Sequence, residues 1–211
     1  MHLKDYYWYF KSALPERICD DIINLGKEKK QHMALIGNAS KKGLANASKK
    51  EIKDVLKTRD SDIAWLDDLW IYNQIHPYIH AANESSGWNF QWDYSEACQF
   101  TKYKKGQYYG WHIDSWDGPY NNPEDKNLHG KIRKLSVTVS LSDPNDYEGG
   151  ELEFDCRNER FGKKKNLLTC SEIRPRGSIV VFPSFVWHRV KPVTKGVRYS
   201  LVIWNVGNSF K

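Results

Sequence analysis

Gly110-Trp111-His112-Ile113-Asp114 closes a run of strand-forming residues that begins at Cys98. Side chains alternate across a strand, so His112 and Asp114 fall on one face. An imidazole beside a carboxylate offers two ligands to a divalent metal ion. A third stands downstream at His188, in Ser184-Phe185-Val186-Trp187-His188-Arg189-Val190. Two His and one carboxylate on one side of an octahedral ion leave three positions open. An H-x-D pair alone is common on solvated strands, so its surroundings must carry the argument.

The next clue lies ten residues beyond His188, in Gly196-Val197-Arg198-Tyr199-Ser200-Leu201-Val202-Ile203-Trp204. Arg198, Ser200, Val202 and Trp204 share a face of this strand. A guanidinium on an inner, otherwise apolar face is costly unless it meets an anion. Beside a hydroxyl, it suits the far carboxylate of a small diacid.

With these residues in hand, the chain resembles the 2-oxoglutarate/Fe(II)-dependent dioxygenases, and among them the prolyl 4-hydroxylase-like branch. The likeness is carried by Tyr103-x-x-Gly106-x-Tyr108-Tyr109-x-x-His112-x-Asp114, by Arg133 to Ser142, by Tyr147-Glu148-Gly149-Gly150-Glu151-Leu152, and by the distal His188 and Arg198-x-Ser200. It spans residues 95–206.

The resemblance implies Fe(II) held by His112, Asp114 and His188, with Arg198 completing the catalytic set. It places the distal carboxylate of 2-oxoglutarate on Arg198 and Ser200, with Tyr103 and either Ser136 or Thr138 as further contacts. Tyr109 and Trp111 would line the pocket, and Trp204 its floor. Ascorbate enters as a reductant. The implied reaction hydroxylates an unactivated C–H, in a prolyl or other residue of a peptide or protein, and releases succinate and CO2. Related halogenases lack the carboxylate, so Asp114 favours hydroxylation. Nucleic-acid demethylases of the superfamily carry a second arginine where this chain has Trp204, which counts against nucleic acid as partner. Two alternatives stay open: oxidation of a nucleobase or free small molecule, and a non-enzymatic metal-binding jelly-roll module.

Short strands separated by Gly/Pro turns, without long helices between them, predict a mainly β fold. The family's form is a double-stranded β-helix, or jelly roll, with N-terminal helices packed on one sheet. Residues 1–94 would support a core of residues 95–206, with a flexible loop at 37–50.

Composition sets the outer bounds. The 211 residues are 40% hydrophobic and 14% aromatic, enough for one domain with a substantial core. A net charge of +6 permits weak affinity for nucleic acid or acidic partners but does not demand it, and reads first as a solvated basic surface. Four cysteines without C-x-x-C spacing predict reduced thiols. No apolar run reaches membrane-spanning length and no export signal opens the chain, so a cytoplasmic protein without a membrane partner is expected.

Along the chain, Tyr6–Phe10 is strand-like, and a helix starts at Pro15 and closes at Lys27–Lys30. Lys57–Leu66 predicts a strand ending at Trp65. A helix follows from Asp67 or Asp68 to about Ser86, kinked or divided at Pro77. Its His76 and His80 lack the H-E-x-x-H pattern of a zinc site. Trp88–Trp92 predicts another strand, and Ser115–Gly130 a loop beside the metal. Leu135 to Ser142 alternates apolar and hydroxyl residues, which predicts a half-buried strand. Arg157–Lys165, with Phe161, predicts a basic hairpin. Substrate choice would reside in loops 37–50, 115–132 and 155–169.

Overall fold

The structure, a computed structural model, describes residues 5–35, 46–115, 118–156 and 166–210. The helices are α1 (Glu16–Glu28), α2 (Lys49–Leu56) and α3 (Leu69–Ser85). The first strands are β1 (Trp8–Phe10), β2 (His32–Met33), β3 (Arg59–Asp60), β4 (Asp62–Leu66), β5 (Tyr94–Ser95), β6 (Cys98–Lys104) and β7 (Tyr108–His112). The rest are β8 (Lys131–Ser140), β9 (Tyr147–Gly149), β10 (Leu152–Asp155), β11 (Leu167–Thr169), β12 (Ile179–Pro183), β13 (Trp187–Val190) and β14 (Val193–Asn208).

The strands form two antiparallel sheets. The larger runs β1-β12-β8-β14-β6-β4-β2, with β5 and β9 also paired to β14. The smaller runs β11-β10-β13-β7-β3. This is a mainly β jelly roll with helices against the larger sheet. The N-terminal segment is woven into it: β1, β2 and β4 extend the larger sheet and β3 the smaller.

Helices α1 and α3 cover the outer face of the larger sheet. Cys19, Ile22 and Ile23 from α1, and Ile71, Ile75, Ile79 and Ala82 from α3, join Phe100, Val137, Val139, Ile179, Leu201 and Ile203 in one buried cluster. Spacings of three and four residues put each set on one helix face. Helix α3 runs undivided through Pro77. The proline is exposed, so water can satisfy the carbonyl it leaves unbonded.

Other expectations need correction. Cys98 to Asp114 is two strands in different sheets, because Gly106, at φ 88°, turns the chain between β6 and β7. Asp114 lies just beyond β7, its N–H donating to Ser184 O at 2.8 Å. The hydroxyl face of β8 is not wet: Ser136, Thr138 and Ser140 are all buried, because the smaller sheet covers it. Trp88–Trp92 forms no strand. The Asn83 side chain bonds both the N–H and the C=O of Phe90 at 2.9 Å, taking the place of a neighbouring strand. The loop expected at 37–50 ends early. Ser48 caps α2 through a capping box with Glu51, and Lys49 and Lys50 are helical. Residues 36–45 and the expected hairpin at 157–165 lie outside the described residues.

All four cysteines are free and buried. Among the described residues, no helix is long and apolar enough to cross a membrane.

Candidate active site

Strands β7 and β13 are neighbours in the smaller sheet, and their pairing sets His112 directly opposite His188. Asp114 completes a cluster whose ligand atoms all lie within 4.8 Å of one another. Asp114 Oδ1 is 3.7 Å from His112 Nε2, and Oδ2 is 3.5 Å from His188 Nε2. Octahedral ligands at right angles on bonds of about 2.1 Å stand about 3 Å apart, so a small closure would seat an ion.

Both imidazoles are oriented the same way. His112 Nδ1 lies 2.8 Å from Gly110 O, and His188 Nδ1 lies 2.9 Å from Val186 O. A carbonyl can only accept, so each Nδ1 carries the proton and each Nε2 lone pair faces the cluster centre. Tyr109 stacks on His112 at 3.5 Å, and Phe182 packs edge-on against His188 at 4.6 Å.

Burial disfavours the charged imidazole of His112, and His188 beside it adds to this. Asp114 opposes them, yet the pKa falls to about 3. The neutral ring is the form that binds metal. Burial would raise the Asp114 pKa, but His188, His112, Arg133 and a hydrogen bond from Ser136 outweigh it and hold the carboxylate ionised. Two imidazoles and one carboxylate form a donor set that fits Fe(II).

Beside the cluster lies a cavity of about 40 Å³. Tyr103, Thr138, Arg198 and Ser200 line it, with Tyr109 and Trp204. Arg198 is 2% exposed, and its Nη1 donates to Ser200 Oγ at 3.3 Å. Among the described residues, no carboxylate is within ion-pairing distance of it. Gly150, at φ 67°, makes room: a Cβ there would stand 2.9 Å from Arg198 Cδ.

Of the residues singled out from sequence, Ser136 is turned elsewhere. Its hydroxyl donates to Asp114 Oδ2 at 2.7 Å and meets Ser184 Oγ at 2.9 Å. Trp111 does not line the cavity; it packs under the Arg189 guanidinium at 4.7 Å. His76 bonds Ser95 Oγ at 3.0 Å, away from the cluster.

Sequence reasoning passed over Arg59, Gln99, Glu96 and Arg133. Arg59 and Gln99 line the cavity. Arg59-Asp60-Ser61 repeats the R-x-S spacing of Arg198-Tyr199-Ser200, a signal that was available. Arg133 forks onto Glu96 at 2.6 and 2.7 Å and stacks 3.9 Å over Trp204. Tyr120 joins through a bond to Glu96 at 2.8 Å, tying the loop before β8 to the site. No local pattern marks the ion pair, whose members lie 37 residues apart.

This fold around a His-Asp-His cluster defines a class. The family description "2OG-Fe(II) oxygenase superfamily" matches residues 98–206, and the chain belongs to that family. A PKHD-type hydroxylase of Synechococcus sp. is 43% identical over 100 residues, which cover 47% of this chain and 36% of that protein. The chain thus spans well under half the length of that curated relative. Among solved structures, the viral collagen prolyl hydroxylase of Paramecium Bursaria Chlorella virus-1, as its 2OG complex, superimposes with a TM-score of 0.61 at 20% identity. The match covers 97% of each chain. A Trichoplax adhaerens prolyl hydroxylase, in complex with a hypoxia inducible factor peptide fragment, gives 0.59 at 17% identity over 96% of this chain and 84% of that one. At these identities the two structures establish the shared fold.

Proposed function

We propose that the protein is an Fe(II)- and 2-oxoglutarate-dependent hydroxylase acting on a peptide or protein, with proline the leading target residue. The observation that carries this is the buried Arg198. It lines the same cavity as the His-Asp-His cluster and has no anion of its own among the described residues. A keto-diacid answers both needs, one end at the metal and the other at Arg198.

His112, Asp114 and His188 would hold Fe(II), and Ser136 would orient the Asp114 carboxylate. Arg198 and Ser200 would hold the distal carboxylate of 2-oxoglutarate, with Tyr103 and Thr138 lining its bed. Once bound, Fe(II) would activate O2, the four-electron oxidant, with 2-oxoglutarate giving two electrons and the substrate C–H bond two, so that one oxygen atom ends in succinate, with loss of CO2, and the other in the new hydroxyl. Tyr109, Phe182 and Trp204 wall the cavity and restrict water. Residues 95–206 would carry this chemistry on the support of residues 1–94, with ascorbate as accessory reductant. The peptide reading draws on the two prolyl hydroxylases that share the fold.

The test incubates the protein with Fe(II), 2-oxoglutarate, ascorbate and a panel of prolyl peptides. Wild type yields succinate and a peptide heavier by one oxygen atom. Arg198→Met loses both and keeps its metal affinity. Succinate formation unaltered by Arg198→Met would refute the assignment of that residue.

A further inference from the structure

Arg59 is not one of the residues assigned above to the metal or the keto acid. It projects from β3, at the edge of the smaller sheet, and lies opposite Tyr109 of β7. It is 4% exposed and lines the cavity. Its Nε donates to Ser61 Oγ at 3.0 Å and its Nη1 to Gln99 Oε1 at 3.4 Å. Gln99 is itself oriented, its Nε2 donating to Thr101 Oγ1 at 3.0 Å. The guanidinium lies 4.4 Å over the Tyr109 ring, which in turn stacks on His112. The side chain is therefore held in place from several sides.

What remains is its Nη2, buried and without a hydrogen-bond partner. Among the described residues, no carboxylate pairs with Arg59. A buried guanidinium edge left unpaired is costly, because its hydration is lost and nothing replaces it. The arrangement matches that of Arg198 and Ser200, in which an arginine bonds the serine two residues on and faces the cavity. A second orphan donor is Trp204 Nε1, on another cavity-lining residue. Both atoms call for acceptor oxygens on whatever fills the space.

Charge narrows the guest. A keto-diacid cancels a divalent ion, and Arg133 is matched by Glu96. Among the lining residues this leaves the Asp114 carboxylate against two guanidiniums, Arg59 and Arg198. One positive charge stays in excess inside a closed, poorly hydrated space, where an anion is strongly favoured. The keto-diacid has already committed one carboxylate to Arg198 and the other to the metal.

We propose that Arg59 receives a carboxylate of the substrate, so that the hydroxylated residue lies beside an acidic side chain or a free C-terminus. This rests on the keto-acid reading of the cavity, and the test separates the two. Protein loaded with Mn(II) is first titrated with 2-oxoglutarate by calorimetry. The loaded protein then selects, without turnover, from short prolyl peptides in matched pairs: Asp or Glu against Asn or Gln, and free against amidated C-termini. The acidic member is retained over its neutral twin by about tenfold or more, the worth of a hydrogen bond to a charged group. Which pair discriminates tells side chain from terminus. Arg59→Gln abolishes the preference and leaves the 2-oxoglutarate titration unchanged, whereas Arg59→Lys keeps part of the preference.

Equal retention of the twins by wild type, or retention of neither, overturns the proposal without appeal to a variant. So does an Arg59→Gln protein that loses 2-oxoglutarate binding in the same titration as an Arg198→Met control, because Arg59 would then serve the cosubstrate. Wild type that fails the first titration brings down the keto-acid reading itself, and the assignment of Arg59 with it.

Discussion

Among the described residues, Ser136 carries the one hydroxyl that hydrogen-bonds a side chain of the His-Asp-His cluster, and Ser136→Ala isolates it. Ser136 Oγ is fully buried and donates to Asp114 Oδ2 at 2.7 Å, the geometry of a charge-assisted bond. Removing it costs about 1.5–3 kcal/mol of fold stability, and the stranded Ser184 hydroxyl adds about 1 kcal/mol. Metal affinity feels only the part of the bond that differs between free and loaded Asp114. Loss of such a supporting partner weakens binding roughly 10- to 100-fold, or about 1.4–2.7 kcal/mol. A chelator competition with Co(II) measures this directly. The affinity of the metal-saturated protein for 2-oxoglutarate should hardly change, because the hydroxyl is turned to the carboxylate and not to the cavity. The reasoning is refuted if metal affinity is unchanged while 2-oxoglutarate binding weakens. That outcome would make Ser136 a cosubstrate contact.

Two further predictions concern the scaffold and its pH dependence. Gly26 of α1 faces the Phe100 ring so closely that a Cβ would collide with Phe100 Cγ. Gly26→Ala gains up to about 1 kcal/mol of helix propensity but overpacks a rigid core at about 1–3 kcal/mol. A net loss in urea denaturation, with metal affinity retained, is the expected result, and a gain would mean that α1 shifts freely. In the metal-free protein, His112 has a folded pKa near 3, below its ordinary value of 6.5. Between those values the unfolded chain binds the proton and the folded one does not, so stability is present at neutral pH and is lost as the pH falls. The loss between pH 7 and pH 5 is about 2 kcal/mol. Urea titrations in EDTA at both pH values measure it, and His112→Gln should abolish this part of the slope. An unchanged slope in the variant would assign the dependence to another group.

The ion pair beside the site shows why some of it could not be read along the chain. Glu96 and Arg133 mean little separately, and only the pairing of β14 with both β6 and β8 brings their neighbourhoods together. Arg59 was hidden differently. Its R-x-S spacing is visible, but a two-residue edge strand gives no alternation from which to infer a buried face. Ser136 was located on a strand and on a face, yet whether that face met water, keto acid or Asp114 depended on the opposite sheet. Asn83 replaced a strand partner at Phe90, which no propensity of Trp88–Trp92 could have shown.

What the sequence determined by itself was local: the shared face of Arg198 and Ser200, the presence of the helices α1 and α3, and the three side chains with metal-binding chemistry. Backbone geometry sets these relations within a few residues, so they hold whatever the rest of the chain does. The tertiary structure alone decided which faces meet. It set His112 opposite His188, closed both sides of β8, and brought Arg59 to the cavity from the N-terminal segment. Such contacts depend on burial and strand pairing between distant segments, and no short stretch of the chain encodes them.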